Sequence, residues 1–146
     1  MLRTLTRTIT AIAVVAALPA CGGTDAEHQQ ATREEPATTA VLSWLSLVDA
    51  GKYDESWSTA ADLFKSAMSE EAWDEAASNA RGPLGNLVSR ELQSAVYQLE
   101  PQGEAAGEYV LVKFSSTFEN HGSKFEMVSS RLEADEAWRV SGYFIR

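Results

Sequence analysis

Val41-Leu-Ser-Trp-Leu-Ser-Leu-Val-Asp-Ala-Gly-Lys-Tyr-Asp-Glu-Ser-Trp57 reads as an amphipathic helix, its stop and the entry to a second helix. Val41, Trp44, Leu45 and Val48 recur at i, i+3, i+4 and i+7, which places them on one stripe. Asp49-Ala50-Gly51 closes the helix, glycine being the residue that enters the left-handed conformation of helix ends at least cost. Asp54 is placed to cap the next helix, whose stripe begins at Trp57. Two large indoles flanking a forced turn must be buried against something, and only the downstream strands can cover them.

The second helix carries Trp57, Ala60, Ala61 and Phe64 at helical spacing and fades near Met68. Ser69 is an N-cap for a third helix, with Glu70 and Glu71 in the first turn, where the dipole favours negative charge. Trp73, Ala76, Ala77 and Ala80 form its stripe, and Gly82-Pro83 after Arg81 stops it. From Arg90 the period falls from 3.6 to 2. Val110, Val112, Phe114 and Phe118 share one strand face, with Lys113, Ser115 and Thr117 on the other. Leu92–Leu99, Lys124–Ala134 and Trp138–Ile145 are the other strands. Phe125 and Met127 fall out of phase with Val128 and Leu132, which predicts a bulge or burial on both faces. Three N-terminal helices packed on a curved, four-stranded antiparallel meander make an α+β domain over residues 38–146.

Working outward toward the N-terminus, residues 22–37 contain nothing large and apolar and read as a flexible tether. Thr38 or Thr39 then caps the first helix. Residues 1–20 combine Arg3 and Arg7, an apolar run from Ile9 to Leu18 and small residues, the pattern of a secretory signal too short to cross a bilayer as a mature helix. The formal charge is −9, and removing the two leader arginines makes it −11. So acidic a surface disfavours nucleic acid as a partner.

Leu18-Pro19-Ala20-Cys21 resembles the bacterial lipobox. The resemblance implies that Cys21 becomes an acylated N-terminus and that the protein is held in the cell envelope, on the outer membrane facing the periplasm where the cell has one. Several acyl chains, each contributing about 0.8 kcal/mol per methylene, make such anchoring stable. A lone cysteine also has no intramolecular disulfide partner in an exported protein.

Trp44-Leu45, Asp49-x-Gly51-x-Tyr53, Ser56-Trp57, Phe64-Lys65, Trp73, Arg81-x-Pro83-Leu84-Gly85, Arg90, Phe118, Glu126 and Trp138-Arg139-Val140-x-Gly142-Tyr143-Phe144 together resemble the bacterial family catalogued as domain of unknown function 4019. That family is similar in its order of elements to the cone-shaped fold of nuclear transport factor 2 and ketosteroid isomerase, and to the wider cystatin-like α+β group. The resemblance implies shape and no chemistry.

Several residues are candidates for a site. Arg81 and Arg90 could hold a carboxylate or phosphate, or could pair with Glu126 or Glu91. Glu126 shares the alternation of Val128 and Leu132, so it points inward either as a general base or as half of an ion pair fixing strand register. Arg131 and the tyrosines Tyr97, Tyr109 and Tyr143 are its candidate companions, and Arg139 is at most the wall of a pocket. The pairing reading is preferred for Arg81, Arg90 and Glu126. His121 lacks a serine elbow, no cysteine and histidine cluster offers zinc ligands, and no glycine loop cradles phosphate, so neither metal nor cofactor is expected. The expectation is a lipid-anchored envelope protein with a non-catalytic domain that binds a small ligand or an envelope protein. The alternative is an enzyme of the isomerase or dehydratase kind using Glu126, and a third reading has the free sheet face form a homodimer.

Overall fold

A computed structural model of the chain describes residues 25–146. The expected signal over residues 1–20 and the expected lipidation site, Cys21, lie outside the described residues. Helix α1 spans Asp25–Asp49, α2 Tyr53–Ser58, α3 Asp62–Ala67 and α4 Glu70–Arg81, with a 3-10 turn at Gly82–Leu84. Strands β1 (Leu87–Leu99), β2 (Glu108–Phe118), β3 (Gly122–Leu132) and β4 (Trp138–Ile145) follow. They form one antiparallel sheet in the order β1-β2-β3-β4, the expected meander. The architecture is α+β.

From Val41 to Gly51 the helix and its stop form as the sequence implies. Val41, Trp44, Leu45 and Val48 are all buried. Gly51 has φ +71°, and the Lys52 N–H donates to the Leu47 carbonyl at 2.9 Å, the six-to-one bond of a glycine-terminated helix. Asp54 does not cap α2; Lys52 holds that position without a side-chain bond, and Asp54 sits in the first turn. Ser69 caps α4 as expected, its Oγ accepting from the Ala72 N–H at 3.3 Å.

Two boundaries differ from expectation. The second helix is two helices, because Ala61 is extended (φ −61°, ψ 153°) and its N–H donates to the Val140 carbonyl at 2.8 Å. Docking on β4 breaks the helix where its own periodicity would continue. The helix expected to start at Thr38 or Thr39 starts at Asp25, so residues 25–37 are not the open spacer their composition implies. Pro36 removes one backbone donor there. The helix runs through it because Ala37 is buried, Arg33 pairs with Glu108, and the Glu34 carboxylate accepts the Tyr97 N–H at 2.9 Å. That last bond occupies an N–H of β1, an edge strand. Thr38 and Thr39 are mid-helix and turn their hydroxyls back onto the Glu34 and Glu35 carbonyls.

Val110, Val112, Phe114, Ser116 and Phe118 of β2 face the helices, opposite Glu126, Val128 and Ser130 of β3. The β2–β3 register is unbroken through Phe125 and Met127, so no bulge lies between these strands there, and of the two only Met127 is half-buried. They belong to the outer face, where Phe125 is 58% and its β4 neighbour Phe144 51% exposed. Bulges fall instead within β1 and between β3 and β4.

Under the sheet, Trp44 lies within 5.5 Å of Trp73, 5.6 Å of Tyr143 and 6.2 Å of Phe64, ring centre to ring centre. The main aromatic partners of Trp44 are therefore helical, with Tyr143 the contact from the sheet. Buried Ser56 links the helical set. Its carbonyl accepts from the Trp44 indole at 2.7 Å and its hydroxyl from the Trp73 indole at 2.9 Å. Trp57 is only partly buried and donates to the Met68 carbonyl at 2.8 Å.

Candidate functional site

Helix stripes and strand alternation bring four charges to one point under the sheet. Asp49 lies one turn beyond Leu45 on α1, and Arg81 one turn beyond Ala77 on α4, so each extends a buried stripe past its last apolar residue. Arg90 and Ser116 face each other across β1 and β2, and Glu126 pairs in register with Phe114. The Arg81 guanidinium lies 4.6 Å above the Phe118 ring.

Glu126 is 0% exposed, and both of its oxygens are fully engaged. Oε1 accepts from Arg81 Nη1 at 2.8 Å and from the Tyr143 hydroxyl at 2.7 Å. Oε2 accepts from Arg90 Nε at 2.8 Å and from the Ser116 hydroxyl. Asp49 completes the ring of charges. It accepts from Arg90 Nη1 at 2.7 Å and Nη2 at 3.0 Å, and from Arg81 Nη2. Two guanidinium groups and two carboxylates cancel. Burial opposes the Arg90 charge, and its hydrogen-bonded carboxylates outweigh that, so its proton is held more tightly than in a free guanidinium. Burial, followed by the neighbouring Glu126, pushes the Tyr143 phenol well up, so it stays a donor.

The arrangement has a chemical consequence. An ionised carboxylate has about four acceptor positions, and four donors occupy those of Glu126. No position is left for a proton taken from a substrate, and the neutral cluster presents no net charge to an ionic ligand.

Of the residues expected to form a site, Arg81, Arg90, Tyr143 and Glu126 meet here. Arg131 and Tyr97 do not join them. Arg131 packs beside Tyr109 and donates to the Ala106 carbonyl at 3.0 Å. The Tyr97 hydroxyl donates to Glu108 at 3.0 Å, near the Arg33 end of α1. Asp49 and Ser116 were not anticipated. Their stripe and alternation positions were the available signal: Ser116, midway between Phe114 and Phe118, must face inward with them. Among the described residues no group of three His, Cys, Asp or Glu side chains is arranged to hold a metal ion. No described helix is long and apolar enough to cross a membrane.

A second ion pair, at the β3–β4 turn, is exposed. Arg139 donates through both Nη atoms to Asp135 at 2.7 Å each. Those bonds, with the Ala137 N–H, hold the Asp135 carboxyl well below the usual carboxylate range, at about 2. Because the folded value is depressed, the pair's contribution is present above the ordinary aspartate range and is lost as pH falls through about 2. Carboxyl carbon NMR titration should show this midpoint, and Arg139→Ala should return it toward the ordinary value.

Comparison with known proteins places a family model described as "Protein of unknown function (DUF4019)" over residues 40–143. No curated protein and no solved structure matches the chain.

Proposed function

We propose, starting from the fact that the chain belongs to the DUF4019 family, that it is a lipid-anchored cell-envelope protein whose α+β domain is a non-catalytic module binding a small ligand or another envelope protein. The observation that carries the non-catalytic reading is the saturation of Glu126, the residue expected to act as a buried base, by four protein donors. An isomerase-like role would need that carboxylate open to a cavity, and it is sealed. Helices followed by a four-stranded antiparallel sheet support likeness to the cone-shaped folds. The outer sheet face, with Phe125 and Phe144 more than half exposed, is where a second copy would sit if the protein dimerises.

The anchor rests on Leu18-Pro19-Ala20-Cys21. In a bacterial host, the full chain is expected to incorporate labelled palmitate and to sediment with membranes. Cys21→Ala is expected to lose the label and appear in the soluble fraction. Identical fractionation of the two chains would overturn the anchoring.

A further inference from the structure

Two clefts share Arg139 as a wall. One, of about 440 Å³, lies between α1 and the start of β4 and is mostly apolar, with Ala40, Leu47 and Trp138 among its walls. The other, of about 400 Å³, is polar and lies between α3 and the β3–β4 turn, bounded by Asp62, Lys65, Glu133 and Asp135. The break at Ala61, where α3 docks on β4, sets the second cleft beside the first. Trp44, Trp57 and Trp73 all spend their indole N–H on protein acceptors. Trp138, at the cleft, has no such partner among the described residues.

The charges in the polar cleft do not balance. Lys65 is 3.1 Å from Asp62, and Arg139 is held by Asp135. Glu133 pairs only loosely, with Arg131, whose own Nε is also buried without a partner. Glu133 Oε2 is 3.5 Å from Arg131 Nη1, beyond a good hydrogen bond, and Glu133 Oε1 is buried with no partner. A buried carboxylate oxygen without a donor is costly, and an arriving donor relieves that cost.

We propose that these two neighbouring clefts together bind an amphipathic primary amine. The apolar body lies against Trp138, Leu47 and Ala40, and the ammonium group bonds Glu133. To reach that group the Glu133 side chain rotates away from Arg131, which holds it only at the long distance just given. An anionic head is disfavoured. It faces Glu133 and Asp62, and the two cations lining the cleft, Lys65 and Arg139, already pair with Asp62 and with Asp135. The inference rests on the reading of the domain as a binding module and is independent of acylation.

The test uses the full chain carrying Cys21→Ala, so that no acyl chain competes, with octylammonium, octanoate and octanol as probes in isothermal titration calorimetry. Octylammonium is expected to saturate one site at least about tenfold more tightly than the other two. Glu133→Gln is expected to erase that preference, and Ala40→Trp to block all three probes, with melting curves confirming that both variants fold. Equal binding of octanoate or octanol, or a preference that survives Glu133→Gln, would overturn the amine while leaving a binding module standing. No saturable octylammonium binding below about 1 mM would overturn the paired clefts as a site. Because fractionation of Cys21→Ala reports on the anchor alone, failure there is separable from failure here.

Discussion

Glu126→Gln is expected to lower the unfolding free energy by roughly 3–5 kcal/mol, the usual cost of breaking a buried ion pair from one side. The amide keeps the shape and removes the charge, leaving Arg81 and Arg90 to share Asp49 alone. It also places an N–H₂ group where the carboxylate accepted from every neighbour. A domain of this kind has about 5–15 kcal/mol to lose, and the thermal midpoint should fall on the order of 10–20 °C. Denaturant unfolding followed by circular dichroism measures it. An unchanged or raised midpoint would mean that the carboxylate is held at a cost to stability, as functional sites often are, and would reopen the general-base reading. Arg90→Met should be strongly sub-additive with Glu126→Gln, since the two changes remove the same interaction.

The second large effect is at Trp44. Trp44→Ala should cost roughly 3–5 kcal/mol through lost burial and the cavity left behind. The indole is 4% exposed and touches Phe64, Trp73 and Tyr143. Trp44→Phe keeps most of the apolar contact and leaves the buried Ser56 carbonyl only the long bond from the Thr59 hydroxyl at 3.3 Å, so it should cost about 1–3 kcal/mol. Near-ultraviolet circular dichroism should lose intensity in both variants, because the Trp44–Trp73 pair is broken. If Trp44→Ala melted within a degree or two of the parent, the helical aromatic cluster could not be the centre of the core.

Much of this was legible in the residues. The stripe from Val41 to Val48, the Gly51 stop, the Ser69 cap and the inward side of β2 are local rules, and the structure follows them. The pairing of Arg81 and Arg90 with Glu126 was also foreseeable, from inward phase and opposite charge. What local rules could not supply were events decided by a partner far along the chain. The break at Ala61 exists because Val140 accepts its N–H. The helix through Pro36 exists because Tyr97 and Glu108 engage Glu34 and Arg33. Asp49 was read as helix punctuation because its position looked like a terminus, although one turn past Leu45 is also a core position. Glu133 gave no signal at all, since an orphaned oxygen is defined only by what fails to surround it.

The charge cluster draws one residue each from α1, α4, β1 and β3, and its members are separated by up to 77 positions in sequence. None of these elements can leave alone without leaving an uncompensated ion in a low-dielectric interior. Piecemeal opening of the helical half is therefore penalised far more than in a purely apolar core of equal size. A scaffold wired this way behaves as a single cooperative unit.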